Sequence, residues 1–447
     1  MIEYRSLRVA LLGAGSVGAQ VARLLLDHGD ELAQRVGAPL ELVGVAVRTL
    51  DAPRSADIPR HLLTTDAESL ILGADIVVEL IGGLEPARSH ILTAISSGAD
   101  VITANKALLA AHGNELFEAA DQVGAQLNYE AAVAGAIPII RPLRDSLAGD
   151  RVHRILGIVN GTTNYILDRM DTEHSSLEDA LARATELGYA EADPTADIEG
   201  FDAAQKAAIL ARLAFHTDVP VTLVHREGIT GITRAQVDQA RDSGYVIKLL
   251  AICERLTDAK TGEEGVSARV YPALVHRSHP LAAVHGANNA VFVEAEAAGD
   301  LMFYGAGAGG IETASAVLGD VVSAARRHVV GGPGLVTSAS SGLRVLPIGR
   351  VTTRYQVTLE VLDRPGVLAQ IAGVFAEHGV SVETLVQTPP SADPLEVAGG
   401  AELNEPTATL VIGTHAAAES DLAATVTALD SHGFVGAVTS VLRVEGA

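Results

Sequence analysis

Asp202 and Lys206 stand four residues apart in FDAAQKAAILA, an Ala-rich stretch of helical composition. That spacing puts both side chains on one helix face. Just upstream lies an acidic loop, ELGYAEADPTADIEG, carrying Glu191, Asp193, Asp197 and Glu199. Carboxylates in such a loop can hold an ammonium-bearing substrate while a lysine facing them offers a proton. An isolated DxxxK is more often a solvated ion pair on an N-capped helix, so the other elements must decide. Lys106 is a second candidate. It follows an apolar run and opens the helical segment NKALLAAHGNELFEAAD. A cation there faces the positive end of the helix dipole, so Lys106 needs another partner: a phosphate, a carboxylate or a substrate oxygen.

The elements that position these residues begin with residues 7–12, a short apolar run followed by GAGSVG and an apolar-periodic segment from 17 to about 28. Strand, glycine turn and helix in that order make a dinucleotide fingerprint. Gly13 permits the tight turn, Gly15 the approach of a pyrophosphate, and Gly18 the packing of helix on strand. Ser16 and Val17 open a helix whose free N–H groups suit phosphates. The next strand, ELVGVAV, ends in Arg48 where an NAD site has a carboxylate for the ribose. Arginine there suits a 2′-phosphate, which points to NADP(H) over NAD(H). Strand-like runs at 75–80, 100–104 and 125–130 alternate with helical segments, which predicts an α/β Rossmann-type doubly wound sheet over residues 1–135. Lys106 lies just past a strand's carboxyl end, where such sheets bind ligands.

From Glu130 the chain turns small and apolar in EAAVAGAIPIIRPL, a crossover whose carbonyls can line a small-cation site. NGTTNYIL, with Thr162, reads as a turn entering a helix, able to hold a carboxylate or simply N-capped. Strands at YVIKLLAICER, VSARVYPALV and AVFVEAE predict one antiparallel or mixed sheet in an α+β unit over 136–305. A second glycine cluster, GAGAGGIETASAV, includes Gly305 and Gly309; it precedes a helix to about 329 that can return to the first domain over 306–330. His276 and His279 lack metal-ligand companions and read as loop or core residues. Residues 331–352 are Gly- and Ser-rich and read as a linker. After it, 353–447 runs β-α-β-β-α-β around a polar loop at 388–406, a ferredoxin-like order.

Composition narrows the classes. The 447 residues are 48% hydrophobic and 19% charged, a globular balance. A net charge of −23 argues against nucleic acid. No apolar run reaches the ~18 residues of a membrane span. The N-terminal apolar stretch runs straight into the glycine fingerprint, so it reads as a first strand and not a signal peptide. The single Cys253 excludes an internal disulfide, and a cytoplasmic protein is the simplest fit.

GAGSVG, VITANKALLA, NGTTNYIL, ELGYAEADPTADIEGFDAAQK, HPLAAV and GAGAGG-x-x-TASAV occur in one order that resembles the homoserine dehydrogenases, and the tail LDRPGVLAQIAGVFAEHGVSVET resembles an ACT regulatory domain. The resemblance covers nearly the whole chain and implies that the α+β unit at 136–305 is the substrate-binding and dimerisation domain. It implies NAD(P)H-dependent reduction of L-aspartate 4-semialdehyde to L-homoserine in threonine, methionine and isoleucine biosynthesis. Lys206 would exchange the proton and Lys106 polarise the oxygen. Glu191, Asp202, Asp197 and Thr162 would bind substrate, and Gly188 would touch substrate and cofactor. Gly13, Gly15, Ser16, Val17, Gly18, Arg48, Lys106, Gly305 and Gly309 would bind the dinucleotide. Glu130, Val133, Gly135 and Ile137 match a sodium site. The ACT tail implies an amino-acid effector, with threonine expected near Asp363 and Gly366 at an ACT–ACT interface, and a homodimer or homotetramer. Ala306 and Glu312 stand where the family has prolines. Two other readings remain open on the residues: a non-catalytic amino-acid sensor, and a dehydrogenase of the saccharopine or diaminopimelate type.

Overall fold

The stretch Leu7–Leu12 alternates little and is buried along almost its whole length, as a strand covered on both faces must be. It forms β1 of a parallel sheet with β2 (Leu40–Ala46), β3 (Leu63–Thr64), β4 (Ile76–Glu79), β5 (Asp100–Thr103) and β6 (Leu127–Asn128), in the order β3-β2-β1-β4-β5-β6. The computed structural model describes residues 5–257, 261–331, 341–388 and 406–446. Helix Ser16–Asp27 buries Val21 and Leu25 against this sheet, and helix Gly310–Val330 returns to the same core through Ala314, Val317 and Val321.

A mixed sheet follows. Strands Gly299–Ala306, Asn288–Ala295, Val152–Ile158, Tyr245–Thr257 and Glu264–His276 neighbour one another in that order. Their inner face packs on helices Gly161–Glu173 and Phe201–Phe215, whose Ile166, Met170, Ala207 and Leu210 share a core with Ile155, Ala251 and Val270. The C-terminal unit orders its strands Val435–Glu445, Thr352–Leu362, Thr407–Thr414 and Val382–Thr388, with helices Val367–Glu377 and Glu419–Asp430 on one face. This is the βαββαβ arrangement expected.

Three features differ from the sequence expectations. The last strand pairs in parallel with the mixed sheet at Ala273–Arg443, Leu274–Val444 and Val275–Glu445, so the two sheets are one. Part of the expected linker is also sheet: Arg344–Val345 pairs with Gly265 and Val266 because Leu346 seats over Gly265, where a methyl would meet it at 2.6 Å. Residues 332–340 of that linker, and 389–405 of the polar loop, lie outside the described residues. Finally, residues 125–130 yield only the short β6 before a 3-10 turn at Glu130–Ala132, because Asp320 captures the Glu130 N–H at 2.7 Å.

Lys248 sits inside the mixed sheet, 2% exposed, donating to Asn164 Oδ1 at 3.0 Å and to the Val284 carbonyl at 2.6 Å. Burial pulls its ammonium down to about 8, against support from Asp168 and Asp171. In the unfolded chain it titrates near ~10.4. The unfolded state therefore binds more protons across that interval. The group's contribution to stability is complete above the unfolded value and is lost as pH falls through about 8. Lys248→Met is expected to flatten the rise of Tm across that alkaline window; a slope equal to the parent's would refute it.

Candidate active site

Three backbone segments bring the chemistry together. The first is the end of β5. Buried Glu79 accepts from Thr103 Oγ1 at 2.7 Å and from the Ile81 and Gly82 N–H groups, locking the turn after β4 to β5. Asn105 then caps the helix Lys106–Val123 by accepting from Leu108 N at 3.2 Å, while its Nδ2 donates to the Gly83 carbonyl at 2.7 Å. Lys106 is thereby held at the first helical position.

The second segment is helix Phe201–Phe215, entered through left-handed Gly200 (φ 77°). Asp202 and Lys206 lie one turn apart on its buried side. Lys206 Nζ donates to Asp202 Oδ2 at 2.7 Å and to the Val159 carbonyl at 2.6 Å. Lys106 Nζ approaches the other oxygen, Asp202 Oδ1, at 3.1 Å. One carboxylate thus bridges both lysines, and Lys106 has the partner its position required. Burial pushes the Asp202 carboxyl up, but the two ammonium groups overcome it and hold it well below the usual carboxylate range. An ammonium has three donors, so Lys206 keeps one N–H beyond its two bonds.

The third segment is the turn after Val152–Ile158. Asn160 Oδ1 accepts from Thr163 N at 2.9 Å, capping helix Gly161–Glu173. Its Nδ2 clasps two acids, Asp197 at 2.7 Å and Asp202 at 2.9 Å. Local spacing makes Asn160 a cap and no more; the NGTT signature carries no sign of a bond 42 residues away. Burial raises the Asp197 carboxyl; the Asn160 hydrogen bond opposes this, and the Asp202 charge adds to it. Thr162 Oγ1 donates to the Tyr189 carbonyl at 2.6 Å, tethering the loop that begins at left-handed Gly188 (φ 75°). Glu191, on the same loop, is exposed and makes no hydrogen bond or ion pair among the described residues.

The dinucleotide fingerprint folds as its spacing requires. A methyl at Gly13 would meet the Leu80 carbonyl oxygen at 2.6 Å, one at Gly18 would overlap the Gly13 carbonyl, and one at Gly15 would meet nothing. Gly15 thus leaves open the space above the N–H groups of Ser16 and Val17. Helix Ser16–Asp27 has no side-chain cap and no acid in its first turn, which keeps that end electropositive. Gly310 packs against the Ser16 carbonyl, so a second uncapped helix N-terminus converges here, behind Gly305 and Gly309. The Glu312 carboxylate lies against Gly309. A cleft of about 600 Å³ runs from Gly13 and Gly15 to Arg48 and Arg54. Arg54, absent from the sequence candidates, spends its donors on the Leu50, Ala52 and Thr49 carbonyls. Arg48 is exposed and makes no hydrogen bond or ion pair among the described residues. These residues fit a dinucleotide phosphate.

Chains similar to this one agree on what such a site belongs to. Residues 138–322 match the family model described as homoserine dehydrogenase, 13–130 the homoserine dehydrogenase NAD binding domain, and 355–434 the ACT domain. The homoserine dehydrogenase of Corynebacterium glutamicum is 52% identical over 98% of this chain and 95% of its own length. The chain belongs to the homoserine dehydrogenase family. It is an NAD(P)-dependent oxidoreductase acting on a CH–OH group, which sets aside the non-catalytic sensor. The crystal structure of the Thiobacillus denitrificans homoserine dehydrogenase superposes with a TM-score of 0.88 at 37% identity, covering 99% of each chain. A hyperthermophilic archaeal homoserine dehydrogenase in complex with NADPH superposes at 0.59 with 25% identity, covering 73% of this chain and 99% of its own.

The remaining homoserine dehydrogenase positions lie elsewhere. The Glu130 carboxylate is saturated by the Ile139, Ile140 and Arg141 N–H groups and Arg141 Nε, so it has no lone pair spare for a metal. The carbonyls of Val133, Gly135 and Ile137 accept from no backbone N–H among the described residues, across a turn with left-handed Ala134 and Gly135. A sodium ion fits here only through carbonyl oxygens. Asp363 and Gly366 are exposed at the start of helix Val367–Glu377, and Gln387 donates to Asp363 at 3.3 Å. No helix among the described residues is long and apolar enough to cross a membrane.

Proposed function

We propose that this homoserine dehydrogenase reversibly reduces L-aspartate 4-semialdehyde to L-homoserine, with NADPH the preferred reductant. The observation that carries the reading is the single carboxylate of Asp202 bridging Lys106, just past the end of β5, and Lys206, on the helix packed against the mixed sheet. The substrate carbonyl oxygen takes the spare N–H of Lys206, and Lys106 adds a second positive charge where negative charge develops. When bound, the dinucleotide supplies the hydride. Lys206 then gives its proton to the oxygen, and hydride plus proton complete the CH–OH group. Asp197, Asp202 and Glu191 receive the substrate ammonium, with Thr162 and Gly188 shaping the loop around it. The test is NADPH oxidation with purified semialdehyde: no turnover would defeat the reading.

Arg48 supports the choice of NADPH, because an unpaired guanidinium in the cofactor cleft suits a 2′-phosphate. Arg48→Ala is expected to raise KM for NADPH about tenfold or more, by the loss of one charged hydrogen-bonding partner, and to leave KM for NADH near the parent value. Equal losses with both cofactors would assign Arg48 a different role. Sodium is proposed on the carbonyls of Glu130, Val133, Gly135 and Ile137. This turn is pinned to the second glycine cluster by Ala136 N donating to Ala306 O at 3.2 Å. Exchange of sodium for a bulky organic cation at constant ionic strength is expected to lower Tm and raise KM for the dinucleotide; indifference to the exchange would remove the ion.

The ACT domain is proposed to bind threonine at residues 363–366, giving feedback control in threonine, methionine and isoleucine biosynthesis in the cytoplasm. The edge strand Val382–Thr388 leaves Leu385 and Val386 exposed, which supports pairing of ACT units in a homodimer or homotetramer.

A further inference from the structure

Asn289 is fully buried, yet neither its amide oxygen nor its amide nitrogen has a hydrogen-bond partner among the described residues. Among them, no other buried side chain leaves two polar atoms unpaired. Its location is equally distinctive. It lies at the start of strand Asn288–Ala295, opposite Gly305 in the register with Gly299–Ala306. The amide lies flat on Gly307, where any side chain would overlap it. Gly161 is also a neighbour: a methyl there would make an ordinary 3.6 Å contact with Asn289 Oδ1, and would collide with the Ala287 carbonyl oxygen at 2.6 Å. Gly161 is the residue after Asn160, whose amide clasps Asp202. Gly307 in turn presses its carbonyl on Gly135. Gly307 therefore lets one unsatisfied amide stand between the loop at 305–309 and the Gly161 end of the helix that follows the carboxylate clasp.

Buried polar groups are almost always paired, and an apolar residue of similar shape would fill this space without the penalty. Residues that break this rule concentrate where function requires them. We infer that Asn289 is a positioning residue: it sets the distance between the 305–309 loop and the N-terminus of helix Gly161–Glu173, and its amide takes up main-chain hydrogen bonds when the loop closes on the dinucleotide. The inference rests on the reading of 305–309 as a cofactor loop. The amide ties loop closure on one ligand to the seating of Asp202 for the other.

The experiment uses the full chain with Asn289→Leu, near in shape, and Asn289→Ala, which cannot overpack. For Asn289→Leu, the expected Tm without ligand equals or exceeds the parent's, because the unpaired atoms are gone. The Kd for NADPH, read by fluorescence titration, rises about tenfold in both variants, and the NADPH-induced gain in Tm shrinks. The value of kcat falls with it, while KM for the semialdehyde moves less. Parent-like NADPH affinity in both variants overturns the proposal, and a ligand-free Tm that then drops in both makes the amide a structural element only. Gly309→Val separates the two readings. If that substitution leaves NADPH affinity unchanged, the cofactor-loop assignment fails on its own account.

Discussion

Lys206→Ala is expected to lower kcat by about 10³-fold, within the range a positioned acid–base group supplies, while NADPH binds with near-parent affinity. The split follows from the geometry. Lys206 touches Asp202 and the Val159 carbonyl, and neither belongs to the glycine-turn cleft. After the substitution, Asp202 keeps Lys106 at 3.1 Å and Asn160 at 2.9 Å, so the carboxylate is not left bare. The loss of stability should accordingly stay below the ~3–5 kcal/mol that follows when a buried charge loses its only partner. Lys206→Arg retains the charge and much of the stability, but a guanidinium does not release its proton near neutral pH. It should therefore share the kinetic loss without the fall in Tm. Parent-like turnover in Lys206→Ala would remove the lysine from the chemistry, whatever the family.

The parts of this site that are legible in the sequence are those set by local spacing. Gly13, Gly15 and Gly18 announce a turn because their spacing belongs to one strand–turn–helix unit, although the Leu80 carbonyl that Gly13 clears is distant in sequence. Asp202 and Lys206 announce a shared face because helices repeat every ~3.6 residues. Lys106 drew attention by being electrostatically misplaced, and its ion pair with Asp202 explains the placement. What was not legible depends on contacts distant in sequence. Asn160 reads as a cap because capping is local, whereas its bonds to Asp197 and Asp202 depend on how the mixed sheet folds over. The fusion of the two sheets through Arg443–Glu445 leaves no periodic mark, since three residue pairs suffice. Asn289 is the extreme case: nothing in NNAVFVEA distinguishes an idle amide from a satisfied one.

If the ACT unit takes threonine as proposed, Arg443→Leu is expected to abolish the response of turnover to it while kcat without threonine stays within about twofold, since the residue lies outside the reacting groups. Arg443, on the last ACT strand, donates to Glu419 at 2.6 Å and to Glu227 at 2.9 Å. Glu419 begins an ACT helix and also accepts from Tyr355 at 2.7 Å. Glu227 follows the short strand His225–Arg226, whose arginine donates to the Glu199 carbonyl and stacks on Phe201 at 3.5 Å. Ile229 N donates to the Ile198 carbonyl at 2.7 Å. Ile198 adjoins Asp197, and Phe201 adjoins Asp202. The ACT helix thus connects to Asp197 and Asp202 through packed, mostly charged contacts. Spatial continuity alone is a weak warrant for coupling, so the decisive measurement is energetic. A double-mutant cycle of Arg443→Leu with Glu227→Gln, read as the change in threonine's effect on KM, should show strong non-additivity. If threonine regulates the parent and the Arg443→Leu variant equally, this junction is only structural support. If threonine leaves the parent untouched, the effector reading fails first and the junction must be probed through Tm alone.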